Sequence, residues 1–243
     1  MKIALISDTH ANLPAFEAVL EDIRVQGVDQ IVFLGDAATL GPHPKETLDL
    51  LRALGCVCIL GNHDAAILDL ARATDLQIGP SLHATLQWGR DLLDEAHFDF
   101  LRSFIPTYEL NLGAVSLLCF HGSPRSNIDM ILSTTSEPTM DEYFANYPAD
   151  ILTGGHTHIQ MLRQRGRQVV INPGSIGNAF VEPFLYGNVA PTLLPWAEYA
   201  VIRAEKGGWN ATLRRVPFDT KSVVEAVIAG GNPSADWWQQ QYR

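Results

Sequence analysis

The chain has 243 residues, 47% of them hydrophobic and 18% charged, which suits one large α/β domain with an ample core. Its 17 basic and 27 acidic side chains leave a net charge of −10, which argues against a broad nucleic-acid-binding face. A small phosphorylated substrate is still admissible where metal cations reverse the local field.

The first 60 residues alternate strand and helix signals. "KIALIS" reads as a fully buried strand. "LPAFEAVLEDIRVQG" places Leu13, Phe16, Val19, Leu20 and Ile23 at helical spacing, with Gly27 as the stop. "QIVFLG" is a second strand, "PKETLDLLRALG" a second helix opened by Pro44 and closed by Gly55, and "CVCIL" a third strand. Uninterrupted apolar strands joined by helices predict a mostly parallel sheet covered on both faces. Residues 64–104 read as helical, most strongly over "LHATLQWGRDLLDEAHFDFLRSF". "TYELNLG" and "AVSLLCFH" form a hairpin around Asn111–Gly113, "MDEYFANYP" a short helix, and "DILTGG" and "QVVINPG" strands. "EYAVIRAEKGGWNATLRRVPF" is a hairpin turning at Gly207–Gly208, and 219–243 a helix and an aromatic tail. There is no repeat or linker, so one domain spanning 1–243 with two sheets is the economical reading.

Cys56, Cys58 and Cys119 sit in apolar runs and read as buried reduced thiols. The apolar stretch of "MKIALISDTH" is too short for a signal peptide, and no run approaches a membrane span. A cytoplasmic location with no membrane contact is therefore expected.

Five apolar runs end in groups that bind metal or phosphate. They deliver Asp8 and His10 ("DTH"), Asp36 ("GD"), Asn62, His63 and Asp64 ("GNHD"), His121 ("HG"), and His156 and His158 ("GGHTH"). Ligand sites in open α/β sheets form beyond the carboxyl ends of strands, so these groups should converge. Each has an ordinary alternative. Asp8–Thr9 could cap the following helix, Gly35–Asp36 and "GNHD" could be turns, and His121 a satisfied core histidine. His156 and His158 resist such a reading. Strand period would put both rings on one face, with α carbons roughly 6.5–7 Å apart. Five coincidences at the same end of successive strands favour a metal site. Asp, His and Asn ligands without cysteine suit Mn, Fe, Zn or Ni. The set is too large for one tetrahedral zinc and suits two metals sharing a carboxylate, the arrangement that clamps a phosphoryl transfer and generates hydroxide near neutral pH.

The ordered motifs D-x-H, G-D, G-N-H-D, H-G and G-H-x-H resemble those of the calcineurin-like metallophosphoesterases, from Lys2 to about Gly177. "SDTHANLPA", "GPHP", "HGSPR" and "NPGSIG" look like the small bacterial and archaeal phosphodiesterase branch. The resemblance implies a four-layer αββα sandwich, two mixed sheets flanked by helices. It implies two divalent metal ions from among Mn, Fe, Zn, Ni and Mg, with manganese first. Asp8, His10, Asp36 and His158 would hold one, and Asp36, Asn62, His121 and His156 the other. His63 would donate a proton to the leaving oxygen or stabilise the phosphoryl charge. Asp64 would orient His63, or serve as a helix N-cap. Asn12, Asn62, His63 and Arg125 are the candidate substrate contacts. Where some members of the wider superfamily carry an acid three residues after the bridging Asp, this chain has Thr39, which is not a ligand.

The segment 180–197 departs from the expected polar loop. Phe180, Phe184, Leu185, Tyr186, Leu193, Leu194 and Trp196 require cover by the core, a substrate or a second subunit, so the segment is a candidate substrate rim or homo-oligomer contact. Ser175 lacks the nucleophile-elbow spacing, and no Walker A, dinucleotide or H-E-x-x-H motif occurs. The expected function is hydrolysis of a small phosphoester by a hydroxide bridging two metals, without a covalent enzyme intermediate. The alternative is a non-catalytic metal-binding scaffold of the same fold. A nuclease is disfavoured by charge.

Overall fold

The first five elements build a parallel βαβαβ unit: β1 (Lys2–Ile6), α1 (Leu13–Gln26), β2 (Gln30–Phe33), α2 (Pro44–Leu54) and β3 (Val57–Cys58). The structure is a computed structural model, and it describes residues 1–113, 115–183 and 191–242. Asn12 starts α1 by accepting the Ala15 N–H, and Gly27 ends it in a left-handed conformation (φ 61°) that returns its N–H to Ile23 and Arg24.

Three short helices follow: α3 (Asn62–Leu68), α4 (His83–Asp91) and α5 (Glu95–Arg102). The continuous helical stretch expected over 64–104 is thus broken. Gln77 adopts a left-handed φ of 60°, Pro80 opens a 3-10 turn, and Asp94 caps α5 by accepting the His97 N–H. Next come β4 (Tyr108–Asn111), β5 (Ser116–Cys119), α6 (Glu137–Phe144), β6 (Ile151–Thr153), β7 (Met161–Arg165) and β8 (Gln168–Asn172). The chain closes with the hairpin β9 (Trp196–Glu205) and β10 (Gly208–Pro217), then α7 (Thr220–Ala229) and α8 (Ala235–Gln241).

The strands form two five-stranded mixed sheets, ordered β10-β9-β1-β2-β3 and β4-β5-β6-β8-β7. In the first, β9 runs antiparallel beside β1 and carries β10. In the second, β5, β6 and β8 are parallel, with β4 and β7 as antiparallel edges. Alternation along the strands explains the layering. Ile3, Leu5 and Val32 face Leu117, Cys119, Ile151 and Ile171 between the sheets. Ala4, Ile6 and Phe33 face Phe16, Val19, Leu48 and Leu51 of α1 and α2. Leu118, Phe120, Leu152 and Val170 face Met140 and Phe144 of α6. Both faces of each central strand are buried, which is why those strands are apolar without a break.

The tail folds into α8 rather than trailing. Trp238 is fully buried against Val223, Val227 and Leu193, and its indole N–H donates to the Leu40 carbonyl. Of the apolar segment 180–197, Phe184, Leu185 and Tyr186 lie outside the described residues. Phe180 pairs with Leu193 through an isolated bridge, Leu193 is buried, and the Trp196 indole donates to Glu198. Among the described residues no helix is long and apolar enough to cross a membrane.

Candidate metal centre

Every predicted ligand lies just past a strand end, where the loops continue the ladders without being strands. Beyond β1 and β2, the N–H groups of Asp8, His10 and Ala11 donate to Gly35, Asp36 and Ala37 carbonyls. From the second sheet, Gly155 N–H donates to the His121 carbonyl, and Gly177 N–H donates to the Asp8 carbonyl. The Gly177 bond joins the two sheets at this edge, and the side chains gather into two groups. Asp8, His10 and His158 form one, and Asp36, His121 and His156 the other, each with its ligand atoms within 4.8 Å of one another. Asn62 joins the second group, its amide oxygen 3.1 Å from His121 Nε2. The amide nitrogen donates to the Leu76 carbonyl, which turns the oxygen inward.

Hydrogen bonds on the outer side of the His158 and His121 rings decide which nitrogen faces in. A carbonyl can only accept, so His158 Nδ1 donates to Asn178 O at 2.7 Å and His121 Nδ1 donates to Leu34 O at 2.7 Å. Their Nε2 atoms point to the centre. His158 Nε2 lies 3.0 Å from His10 Nε2 and 3.2 Å from Asp8 Oδ1. Asp8 Oδ1 is buried with no hydrogen-bond donor among the described residues. Two imidazole nitrogens and a carboxylate oxygen converging on one buried point fit a cation, and the outer-side carbonyls are the usual supports of ligating imidazoles. Asp36 sits between the groups. Its Oδ1 accepts the His63 N–H, while Oδ2 lies 3.3 Å from His121 Nε2 and 3.9 Å from His10 Nε2.

The electrostatics agree. Burial opposes charge on both carboxyls, yet His158 holds Asp8 below its usual range, and His121 and His63 hold Asp36 well below. Burial, with His158 and His63, keeps His10 far below 6.5, and burial with His121 pushes His156 down to about 3. Burial lowers His121 too, but Asp36 outweighs it and lifts the ring to about 9. A cation at that ring therefore competes with a proton. His63 and His156 alone among these groups are partly exposed, which marks the open side of the centre.

Three expectations are corrected. His156 and His158 do not share a strand face. β6 stops at Thr153, and both residues adopt left-handed backbones (φ 66° and 56°) that send their rings to different groups. Asp64 does not touch the His63 ring. Its two oxygens accept the N–H groups of Asp36 (2.7 Å), Ala37 (2.8 Å) and Gly61 (3.1 Å), from the third residue of α3 rather than the N-cap. Burial and Asp36 push this carboxyl up to about 7, against the pull of those three donors. Asn12 and Arg125 are committed elsewhere. Asn12 is fully buried, capping α1 and donating to the Gly177 carbonyl, and the Arg125 guanidinium binds Asp129 and Glu142 over the Tyr143 ring. Two residues at the centre lie outside the expected ligands and substrate contacts, Thr39 read only as a non-ligand and Phe180 only as part of the apolar rim segment. Thr39 Oγ1 is the contact of the His63 ring, at 3.1 Å from Nδ1. Phe180 stacks on His158 with ring centroids 4.3 Å apart. Its place in the apolar segment was the only signal for it.

Known proteins share this architecture. A metallophosphoesterase from Sphaerobacter thermophilus superposes with a TM-score of 0.73 at 26% identity, over 97% of this chain and 96% of that one. A hypothetical protein from Pyrococcus horikoshii gives a TM-score of 0.80 at 21% identity, over 96% of this chain and 94% of that one. An uncharacterized protein of Methanocaldococcus jannaschii is 30% identical over 236 residues, 95% of this chain and 93% of its own length. Residues 1–188 match the model of the calcineurin-like phosphoesterase superfamily domain, and the chain belongs to that superfamily.

Proposed function

We propose that the protein hydrolyses a small phosphoester using two divalent cations held side by side. Asp8, His10, Asp36 and His158 surround one, and Asp36, Asn62, His121 and His156 the other. Asp36, whose Oδ1 accepts the His63 N–H, would be the carboxylate common to both. The observation that carries this reading is the convergence of the His10 and His158 Nε2 atoms and of Asp8 Oδ1 on one buried locus. Such a cation pair supplies Lewis acidity toward a phosphoryl group and a hydroxide nucleophile near neutral pH. Manganese is the cation placed first, and a reducing cytoplasm suits the free thiols.

The protein's own groups supply the rest. His63, partly exposed on the open side, would give a proton to the leaving oxygen. Phe180, half-buried beside His158, offers an apolar wall to the organic part of the substrate. With a net charge of −10, anionic substrates are drawn only to the cation-bearing edge.

The test is direct. Chelator-stripped protein is reloaded with Mn²⁺ and assayed on aryl phosphate mono- and diesters. Turnover should return with metal alone. No turnover with Mn²⁺, Fe²⁺, Zn²⁺, Ni²⁺ or Mg²⁺ would assign the fold to a binding scaffold instead.

A further inference from the structure

Thr39 occupies a position between two histidines with different tasks. Its Oγ1 lies 2.9 Å from His10 Nδ1 and 3.1 Å from His63 Nδ1, and the residue is 1% exposed. No third side-chain partner of this hydroxyl occurs among the described residues. The His10 and His63 rings meet edge to face, with centroids 4.9 Å apart.

A hydroxyl has one proton. Between two imidazole nitrogens it must accept from one and donate to the other. His10 presents Nε2 to Asp8, His158 and Asp36, so as a ligand it carries its proton on Nδ1. That Nδ1–H donates to Thr39 Oγ1. The Thr39 proton then points at His63 Nδ1, which must be bare to receive it. The remaining proton of a neutral His63 is left on Nε2, the nitrogen not held by Thr39.

We propose that Thr39 is a positioning residue. Through this two-bond relay it fixes the His63 ring in the Nε2–H tautomer, with that proton available to a leaving oxygen, whenever His10 acts as a ligand. The proposal deepens the phosphoesterase reading and rests on it for the fate of the proton, but the tautomer itself is independent of turnover. A carboxylate in place of Thr39 would also hold His63, but from the opposite side of the logic: it accepts from Nδ1 and favours the doubly protonated ring. A hydroxyl adds no charge and selects a tautomer.

The experiment uses the full chain loaded with Zn²⁺, which is diamagnetic, labelled with ¹⁵N-histidine. Nitrogen spectra report which ring atom of His63 carries hydrogen, in wild type, Thr39→Val and Thr39→Ser. Bound metal is measured in each. The same proteins, loaded with Mn²⁺, are assayed on a matched pair of phosphodiesters, one with a nitrophenolate and one with an alkoxide leaving group. Wild type and Thr39→Ser should show His63 protonated at Nε2. Thr39→Val should show a mixture of tautomers at full metal content. Its kcat on the alkoxide ester should fall by about 10- to 100-fold, with little change on the nitrophenolate ester, which needs no proton. An unaltered His63 tautomer in Thr39→Val overturns the proposal, as does loss of metal in place of the tautomer change, which would make Thr39 a support of His10 alone. If wild type hydrolyses no phosphoester, the function fails while the nitrogen spectra still decide the relay.

Discussion

Replacing Asp64 by Ala distinguishes the role the structure shows from the role the motif suggests. The wild-type carboxylate accepts three N–H groups, from Asp36, Ala37 and Gly61, all buried. Alanine leaves all three without an acceptor, whatever the protonation state of the acid. An unsatisfied buried donor costs about 1–3 kcal/mol. Water entering the vacated space recovers part of this, so the expected loss is about 3–5 kcal/mol of folding stability. In a domain of this size that lowers Tm by about 6–20 °C. The loosened loop carries Asp36, so metal affinity should fall with stability. Urea or thermal melts of the metal-free protein, with metal titration at a temperature where the variant is folded, measure both. Asp64→Asn keeps one acceptor and should lie between. If Asp64 instead served His63, turnover would fall while Tm and metal affinity held. That result would refute the anchoring argument.

Four further outcomes follow from the same geometry. His121 is raised to about 9 from 6.5, so a cation at its group displaces a proton, and affinity measured by competition should drop about tenfold per pH unit as pH falls below 9. In the metal-free protein the same shift adds about 3 kcal/mol of stability below pH 6.5 that is lost as pH rises through 9. His10, His63 and His156 are all lowered and stay neutral across that window, and Asp64, raised to about 7, adds a loss of the same sign only at its acid end, so a flat Tm between those limits would contradict the shift. Asn12→Ala should cost about 1–2 kcal/mol through the lost cap and the lost bond to Gly177, with KM unchanged; a raised KM at full stability would restore Asn12 as a substrate contact. Gly155→Ala should abolish metal binding at the Asp8 group. The added Cβ overlaps Ser7 Oγ and comes within 2.6 Å of Asp8 Oδ2, whereas Gly27→Ala, with open space around it, should cost only about 1 kcal/mol from its left-handed backbone.

Periodicity carries the central strands and the long helices, because their burial is two-sided or one-sided along a regular repeat. "KIALIS", "QIVFLG" and "QVVINPG" are apolar on both faces and lie in mid-sheet. β7 escapes such a reading. It is an edge strand, Met161 inward and Leu162 half-exposed, and its arginines pair with acids of α6. The breaks within 64–104 escape too. Amphipathic spacing continues across Leu92–Asp94, and only the cap at Asp94 tells where one helix gives way to the next. Side-chain commitments are less legible still. Asn12 and Arg125 carry the donors a phosphate site wants and Asp64 the carboxylate that could orient His63, and nothing in their sequence neighbourhood says that backbone groups and surface acids have taken them.

The histidine pair "GGHTH" shows why residue type was legible while geometry was not. Strand alternation would have given both rings to one side. Instead Asp8, His10, Asp36, His156 and His158 all adopt left-handed φ, between 44° and 66°. Each costs about 1–2 kcal/mol for a residue with a Cβ, so no propensity scale would place them there. The strain is held by buried anchors: Thr157 N–H on the Gly155 carbonyl, Asn172 on Gly155 O and Thr157 Oγ1, and the N–H groups of Asp8 and His10 on the β2 loop. Left-handed turns point consecutive ligands away from the strand plane and toward different groups. The single residue between His156 and His158 is what lets one loop serve both. A site assembled this way is written in the sequence as a set of ligands, and the backbone that aims them becomes visible only when the two sheets meet.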